Sequence, residues 1–513
     1  MKARAHLSWI ILLFSLAARA DGGSRLYNIL DFGAVADSMT VNTLQIQNAI
    51  DECSRSGGGI VLVPEGKFVS GTILIKDNVR LKLESGAVLL GSTHIEDYQM
   101  IDPFLTGNAA PLGYCFVGAV EARNIAISGK GTIDGRGAEV RKSGGQGRRP
   151  LLMRIVRCEG VEVSGVHLTN STAWTTHFFA SRNIVIDGIS IYCRGLSNND
   201  GIGIDCSQDV RFTNCDIDTG DDGLVFKTTW SKMACKNIDV KNLRITSNHA
   251  GIKTGTESMA PFENIRITDV YIYNTNNGGI KLNSVDGAVM RNIEISNIVM
   301  DNVRTPMLIR LGSRLNVFRK DQDTRQETGS IENVVIRNVK AKAAAVAQLK
   351  PPSGILITGV PGHPVRNLVL ENIEIDLAGG GTLTDARHEV PEAISEYPEI
   401  RTFGPTIPAH GIWARHIDGL ILKNIKLNLD NPDLRPAVII QDGRNAEIRK
   451  SVFPVFQGAE SVIRLEEVSG AVISRNAARG KAEAFVQVEG LPGDRIKLSG
   501  NRISGIGQVI IQK

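Results

Sequence analysis

The sequence predicts an all-β fold, a single-stranded right-handed parallel β-helix with an N-terminal capping helix. A short pattern, in which a polar residue and Asn or Gly precede alternating aliphatic residues, begins at positions 123, 159, 182, 208, 236, 263, 291, 332, 366 and 418. Period-two alternation rich in Val and Ile is typical of strands, and no helical pattern lies between the copies. Most steps between copies are too short for a strand–helix–strand crossover, which needs about thirty residues. Each copy therefore forms one coil, and stacking buries an aliphatic ladder that no single coil buries alone.

Residues 21–513 are expected to form one β-helix domain whose two ends and one insertion depart from the repeat. Residues 40–56, within an N-terminal module at 21–95, are predicted to form the capping helix, because apolar side chains recur at helical spacing before three glycines. That stripe consists of Ile46, Ala49, Ile50 and Cys53. Residues 377–410, which contain several Gly and Pro, form a long insertion that could wall a groove. From 428 to 513 the pattern weakens, which predicts degenerate final coils. The asparagines of the repeat are expected to support turns and to stack as an amide ladder.

The segment 1–20 resembles a cleaved secretory signal. Lys2 and Arg4 precede an apolar run over 7–18, and Ala18-Arg19-Ala20 supplies the small residues that a signal peptidase accepts. The net charge of +4 falls to about +1 when this segment is removed. A nearly neutral protein has no long-range field to attract nucleic acid or an anionic membrane. We therefore expect a secreted or periplasmic monomer with no nucleic-acid partner and no membrane insertion.

The cysteines indicate neither a disulfide scaffold nor a metal centre. Seven cysteines in 513 residues are too few to hold the fold together, which must rest on burial with at most a few bridges. No Cys/His spacing typical of a zinc site occurs. The sequence therefore predicts no metal and no cofactor.

Acidic residues recur just before the second aligned strand of successive coils. The position before the glycine of a Gly-aliphatic pair is occupied in turn by Asp200, Asp222, Ala250 and Gly278. Coil-length steps place Asp200 and Asp222 on adjacent coils about 5 Å apart at the backbone, with Asp221 next to them. Like charges at such separations raise at least one pKa, which suits one carboxyl to act as an acid and another as a base. Asp221 and Asp222 point to opposite faces of a regular strand, so both serve one site only if the chain bends there.

A second column, two positions after the same glycine, is basic. Lys253 and Lys281 are one coil apart, and Arg310 follows after a step of similar length, with Arg314 close behind. Such a ladder suits a ligand that carries carboxylates or sulfates. A solvated charged face paired with surface acids gives the same pattern.

Several aromatic residues are candidates for contacts with sugar rings. They are Trp174, His177, Trp230 and Tyr397. For each, a place in the core or in a loop explains the residue equally well. His249 lies one residue off the acidic column and is expected to be a turn histidine.

Over nearly its whole mature length the chain resembles glycoside hydrolase family 28, the polygalacturonases and rhamnogalacturonan hydrolases. The likeness rests on residues 27–92, on the segments ISGKGTIDGRG and STAWTTHF, and on the pair of motifs Asn198-Asn199-Asp200 and Gly220-Asp221-Asp222. It implies inverting hydrolysis of an α-glycosidic bond to galacturonic acid in a pectic polysaccharide. Asp221 would protonate the leaving oxygen, and Asp200 with Asp222 would activate the attacking water. The substrate-binding residues would be Asn198, Lys253, Lys281, Arg310, Trp174 and His177.

Two motifs depart from the family pattern. Its Gly-His-Gly corresponds to His249-Ala250-Gly251, and its Arg-Ile-Lys corresponds to Gly279-Ile280-Lys281. The absent histidine and arginine would support the acid and bind the galacturonate carboxylate. The departures therefore favour a pectic side chain or rhamnogalacturonan over plain polygalacturonan as the substrate. Two alternatives remain open, a Ca²⁺-dependent polysaccharide lyase and a non-catalytic carbohydrate-binding protein, both on the same fold.

Overall fold

The computed structural model describes residues 25–144, 147–491 and 495–513, and its architecture is the predicted right-handed parallel β-helix. The predicted signal segment lies outside the described residues. Each typical coil contributes one strand to each of three parallel sheets, which we call A, B and C in chain order. The strands, numbered along the chain, pair in parallel register with the strands of the coils before and after. The parallel β-helix predicted from the repeat is thus confirmed.

The strand bounds follow the coils. Separate strands of sheet A are β1 (Leu26–Asn28), β3 (Gly59–Val63), β6 (Val79–Leu83), β10 (Arg123–Gly129), β13 (Glu159–Ser164) and β16 (Arg182–Asp187). Separate strands of sheet B are β2 (Asp37–Val41), β4 (Gly66–Ser70), β7 (Ala87–Gly91), β11 (Thr132–Asp134), β14 (His167–Thr169) and β17 (Ser190–Cys193). Later coils merge A and B into long bent strands, β19 (Gln208–Thr219), β21 (Cys235–Ser247), β23 (Phe262–Thr275), β25 (Val289–Val303), β27 (Ser330–Ala343), β29 (Val365–Leu377) and β31 (Ile421–Leu429).

Sheet C carries the outer face that matters for function. Its strands are β5 (Ile73–Ile75), β9 (Pro111–Val120), β12 (Leu151–Val156), β15 (Thr176–Phe179), β18 (Ile202–Asp205), β20 (Leu224–Thr228), β22 (Ala250–Ser258), β24 (Gly278–Ser284), β26 (Met307–Leu311), β28 (Ile355–Thr358) and β30 (Ile412–Asp418). The final strands are β32 (Val438–Arg449), β33 (Val452–Ser474), β34 (Ala477–Glu489), β35 (Ile496–Ser499) and β36 (Ile506–Gln512). Strand β8 (Gln99–Leu105) is antiparallel to β9, so the two form a hairpin beside sheet C.

The predicted asparagine ladder lies at the bend between strand segments. Asn237, Asn264 and Asn292 occupy this position on three consecutive coils, each with a positive φ of 54–57°. The side-chain amide of each donates to the carbonyl of the preceding one, at 3.1 Å and 3.2 Å. Asn tolerates the left-handed conformation better than most residues, so one residue type both turns the chain and links the coils.

The capping helix is also confirmed. Helix α1 (Thr43–Arg55) begins three residues later than predicted, and all four residues of the predicted apolar stripe are fully buried. It packs against β1, β3, β5 and β6, and so covers apolar interior that the first coils would otherwise expose. Two further short helices are α2 (Gly137–Gly144) and α3 (Leu383–Ala386), and 3-10 turns occupy Ile29–Phe32, Ile95–Asp97 and Ile400–Phe403.

The insertion at 377–410 joins β29 to β30 and packs on the outer face of sheet C. Its apolar side chains form a second buried cluster with residues of β26, β28, β30 and β32. The members are Leu308, Leu349, Leu356, Val390, Ile400, Phe403, Ile407, Ala409, Trp413 and Ile439. This cluster anchors the insertion beside the candidate site.

All seven cysteines fall within the described residues, where they are buried and unpaired. Burial raises the pKa of Cys53, Cys158 and Cys193 to about 11, so these thiols are inert packing groups. Among the described helices, none has both the length and the apolar character needed to cross a bilayer.

Candidate active site

A cleft of about 470 Å³ lies on the outer face of sheet C. The β-helix lines it with Trp174, Asn198, Asp200, Asp221, Asp222, Lys227, His249, Lys253, Thr256, Glu257 and Asn277. The walls are the β8–β9 turn, with Thr106, Gly107 and Asn108, and the later part of the chain, with Gln348, Tyr397, Glu399, Arg401 and Thr402. Part of the predicted insertion therefore forms a wall of this cleft.

The acidic column has the register that the sequence predicted. Ile202, Leu224, Ile252 and Ile280 are paired in succession across β18, β20, β22 and β24. Asp200, Asp222, Ala250 and Gly278, each two residues earlier, therefore form one column. The backbone N–H of Gly201 donates to the Asp222 carbonyl at 2.9 Å, which ties the first two coils together at this point.

The bend that would bring Asp221 and Asp222 to one site is present. Both residues lie in the turn between β19 and β20, outside regular strand geometry. The Asp221 carboxylate accepts the backbone N–H of Asp222 at 2.9 Å, and the Thr219 hydroxyl donates to the Asp221 carbonyl at 2.8 Å. The side-chain alternation of a strand does not apply here, so both carboxyls line the cleft.

Asp222 is held in its ionised form by two neighbours. Lys253 donates to Asp222 Oδ2 at 2.7 Å, and His249 Nδ1 is 2.8 Å from Asp222 Oδ1. Burial opposes ionisation, but the Lys253 ammonium and His249 hold the pKa of Asp222 well below its usual range. His249 lies in the turn between β21 and β22, as expected, and its side chain contacts an acid of the cleft.

The pKa values of Asp221 and Asp200 are shifted in the opposite direction, upward. Burial and the charge of Asp222 raise the pKa of Asp221. Burial and the charge of Asp221 raise the pKa of Asp200 well above its usual range, although the Lys227 ammonium lies 3.7 Å from its Oδ2. The three aspartates of the cleft therefore divide into one ionised group and two that retain protons more readily.

Lys227 and Glu257 form a buried pair that sequence reasoning missed. The Lys227 ammonium donates to Glu257 Oε2 at 2.8 Å and lies 4.4 Å from the centre of the Trp174 ring. Glu257 Oε1 in turn accepts the backbone N–H of Gly107, which fixes the β8–β9 turn against the cleft at 2.5 Å. The sequence signal for this pair was Lys227, a charged residue inside the otherwise apolar strand β20. Because burial of an unpaired charge is costly, such a residue indicates a buried partner.

Asn198 lines the cleft, as does Trp174. Asn198 adopts a positive φ of 59°, and its backbone N–H donates to Asp221 Oδ2 at 3.2 Å. Its side-chain carbonyl accepts from Arg149 at 2.7 Å. Asn198 therefore positions the Asp221 carboxyl, and the predicted contact of Asn198 with substrate remains a prediction.

The predicted basic ladder is only partly in register. Lys253 pairs with Lys281 in adjacent strands, but Lys281 pairs next with Leu308, and Arg310 pairs with Asn283. Arg310 therefore lies two residues beyond the column, because Leu308 occupies the column position on that coil. Arg310 is buried and donates to Thr402 Oγ1 and to backbone carbonyls of the insertion.

Lys281 and His177 lie beneath or beside the cleft and not in its lining. The fully buried Lys281 ammonium is 3.2 Å from Glu399 Oε2, and burial lowers the pKa of Lys281. His177 is fully buried between Arg154 and Asp205, at 2.9 Å from each. Burial lowers the pKa of His177 to about 4. These positions do not fit the substrate contacts predicted for Lys281, Arg310 and His177, because protein groups already occupy their polar atoms.

Tyr397 and Glu399 reach the cleft from the insertion. The Tyr397 hydroxyl contacts Thr256 Oγ1 at 2.9 Å, and Glu399 accepts a hydrogen bond from Asn277. Burial opposes ionisation of Glu399, but Lys281 and Lys253 lower its pKa to about 2. Glu399 gave no sequence signal because the insertion lies outside the repeat register. Trp230, the other aromatic candidate, packs against Phe179 instead of lining the cleft.

Within the part of the chain that the structure describes, one group of residues has the ligand types for a cation. Asp221, Asp222 and His249 offer atoms that lie within 4.8 Å of one another. Lys253 already donates to Asp222 Oδ2, so the protein itself balances the charge of this carboxylate.

Comparison with known proteins places the chain in a family. It matches the model for glycosyl hydrolases family 28 over residues 53–395. It is 28% identical over 389 residues to a probable polygalacturonase of Vitis vinifera, covering 71% of this chain and 76% of that protein. It is 25% identical over 344 residues to an exo-poly-alpha-D-galacturonosidase of Dickeya chrysanthemi, covering 54% of this chain and 56% of that protein.

Solved structures agree with the fold. An exopolygalacturonase from Thermotoga maritima aligns with a TM-score of 0.59 at 25% identity, covering 69% of this chain and 88% of that chain. A family 28 exopolygalacturonase from Yersinia enterocolitica aligns with a TM-score of 0.59 at 20% identity, covering 90% of this chain and 78% of that chain. The family match and the acidic column within its span lead to one conclusion: this chain is a glycoside hydrolase that belongs to glycosyl hydrolases family 28.

Proposed function

We propose that the enzyme hydrolyses an α-glycosidic bond of galacturonic acid in a pectic polysaccharide, with inversion at the anomeric carbon. The observation that carries this proposal is that two adjacent carboxyls in one cleft have pKa values shifted in opposite directions. The pKa of Asp221 is raised and that of Asp222 is lowered. Two carboxyls whose surroundings separate their pKa values are suited to act as acid and base in glycoside hydrolysis.

In the proposed reaction Asp221 donates its proton to the leaving glycosidic oxygen while the C–O bond breaks. A water molecule attacks the anomeric carbon from the opposite face and passes a proton to ionised Asp222. Asp200, whose pKa is raised, hydrogen-bonds the same water and helps to orient it. The surrounding Lys253 and His249 keep Asp222 ionised for this role.

The substrate is proposed by chemical class. The names of the Vitis and Dickeya relatives refer to polygalacturonan or its galacturonic acid units, which supports this sugar at the cleaved bond. The replacement of the family arginine by Gly279 favours a pectic side chain or rhamnogalacturonan. The replacement at Ala250 carries less weight, because His249 lies 2.8 Å from Asp222 Oδ1. Both candidate substrates contain a galacturonic acid unit. A panel of defined pectic oligosaccharides, with products identified by mass spectrometry, shows which of the two the enzyme cleaves.

We also propose that the enzyme is exported to the periplasm or the medium and works as a monomer, without a nucleic-acid or membrane partner. The signal-like segment and the nearly neutral remainder of the chain support this proposal. Cell fractionation and the mass of the purified protein in solution test it.

Asp221→Asn tests the assignment of the acid. We expect kcat to fall by about 10²- to 10⁴-fold with the fold intact. The matched control is Asp216→Asn, because Asp216 is an exposed aspartate of β19 outside the cleft. Full activity of D221N would refute the assignment.

The product distinguishes hydrolysis from the two alternatives. Hydrolysis with inversion gives a β-anomer by NMR, no new ultraviolet absorbance, and no loss of rate with a chelator. A Ca²⁺-dependent lyase would give an unsaturated product and lose activity with a chelator. A binding protein would release no reducing ends. The family match does not favour either alternative.

A further inference from the structure

We propose that Arg401 of the insertion binds the carboxylate of a galacturonate unit in the cleft. The inference rests on the proposed function and names the residue that would recognise the acidic group of that substrate. It assigns to one side chain the role that the sequence analysis gave to Lys253, Lys281 and Arg310.

The buried cations at the cleft are already paired with protein carboxylates. Lys227 lies 2.8 Å from Glu257 Oε2, and Lys253 lies 2.7 Å from Asp222 Oδ2. Each is almost completely buried. A substrate carboxylate would have to displace a charged partner from either lysine, which leaves that partner buried and unpaired at high cost.

Arg401 differs from both lysines. It lines the cleft and is exposed, and within the described residues its guanidinium has no hydrogen-bond or ion-pair partner. The neighbouring Glu399 does not neutralise it, because Glu399 is occupied by Lys281 and Asn277. The five N–H donors of this guanidinium are therefore open to a ligand, and their planar fork matches a carboxylate.

The backbone that carries Arg401 is held in place. Ile400 and Phe403, on either side of it in the 3-10 turn, are fully buried in the second apolar cluster. Thr402 accepts a hydrogen bond from Arg310 at 2.8 Å. Because the backbone of the turn is already anchored on both sides, only the Arg401 side chain loses conformational freedom when a ligand binds.

The charges of the cleft also favour this end for a substrate carboxylate. Around Asp200, Asp221 and Asp222 the lysines of the cleft are already paired with protein carboxylates, so this part of the cleft offers a further anion no unpaired lysine. A galacturonate unit is therefore expected to direct its carboxylate away from these acids and toward the guanidinium of Arg401.

Binding to a catalytically silenced protein tests the proposal. In D221N, trigalacturonate and its fully methyl-esterified form, which lacks the charge, are titrated by calorimetry. Adding Arg401→Ala should weaken the binding of trigalacturonate by about 10- to 100-fold and leave the affinity for the methyl ester unchanged. Arg401→Lys should restore part of the affinity. Arg387→Ala is the matched control, since Arg387 is an exposed arginine of the same insertion that pairs with Glu460 away from the cleft.

Each result decides one point. Equal weakening of both ligands by R401A would show a structural role for Arg401 and would overturn the inference, as would unchanged affinity for trigalacturonate. Failure of the wild-type enzyme to cleave any galacturonic-acid-containing substrate would overturn the proposed function, and the inference with it. A wild-type enzyme that cleaves such a substrate, together with an unaffected R401A variant, would overturn the inference alone.

Discussion

Lys253 stabilises the ionised form of Asp222, the residue proposed as the base. The carboxylate is almost completely buried, and a buried carboxyl without a partner takes up a proton. The ammonium at 2.7 Å and the imidazole at 2.8 Å reverse that tendency. The lysine predicted to grip the substrate is thus better explained as a residue that positions and charges Asp222.

Lys253→Met should raise the pKa of Asp222 and move the acidic limb of the pH profile of kcat/KM upward by about one pH unit or more. Asp222 then loses its ionised form at a higher pH than in the wild type. The profile of kcat/KM against pH, measured on both proteins with a check on melting temperature, gives the shift. Lys241→Met serves as the control, because that lysine is exposed on β21. An unmoved acidic limb in K253M would contradict this account.

Buried His410 should make the protein sensitive to acid. Burial lowers the pKa of His410 to about 4 from an ordinary value of 6.5. Between these values the unfolded chain binds a proton at this histidine that the folded chain does not, so the free energy of unfolding falls as pH falls from about 6.5 to 4.

His410→Leu should remove part of that dependence, about 2 kcal/mol over this range. Urea unfolding of both proteins at several pH values measures the difference. The control is His94→Leu at an exposed position, which should keep the wild-type slope. Parallel pH dependence in wild type and H410L would show that His410 does not carry the effect.

At the scale of the element, the asparagine ladder combines two sources of stability that substitutions can separate. Asn264 holds a positive φ of 54° and links Asn237 to Asn292 through its side-chain amide. Asn264→Ala loses both the amide bonds and the tolerance of this conformation, whereas Asn264→Gly loses only the bonds.

We therefore expect N264A to be less stable than N264G by about 1 kcal/mol, and both to be less stable than the wild type. Thermal and urea unfolding midpoints of the three proteins give the order. Equal midpoints for the two variants would mean that the left-handed conformation contributes nothing at this turn.

The repeat made the strands and the acidic column predictable, because stacked coils align residues by strand pairing. The predicted basic column failed at Arg310, because counting residues along the chain did not reproduce the strand pairing there. Arg310 lies two residues beyond the position that pairs with Lys281. The prediction also did not reach the contact of His249 with Asp222, since turn side chains do not follow strand alternation. Glu399 is far from Lys281 in the chain, at a separation of 118 residues, and no periodicity links an insertion to the coil it covers.

At the scale of the whole molecule, the insertion forms one wall of the cleft. Tyr397 contacts Thr256, near the end of β22, while Glu399 contacts Asn277, just before β24 begins. These two contacts are made with neighbouring coils, so the insertion is joined to both coils at this wall of the cleft. We predict that this wall stops a polysaccharide that runs along the helix axis.

If the wall stops the polymer, the enzyme is expected to remove short units from a chain terminus. On a long galacturonic-acid-containing polymer that the enzyme cleaves, reducing ends should accumulate while viscosity falls slowly, and early products should be of one short length. Viscometry together with chromatography of the products measures both. Tyr397→Ala, which removes one of the two contacts that join the insertion to these coils, should loosen the wall and broaden the early products, whereas R387A on the outer part of the insertion should not. A rapid fall in viscosity with a ladder of intermediate lengths from the wild-type enzyme would show that the cleft admits the interior of the polymer.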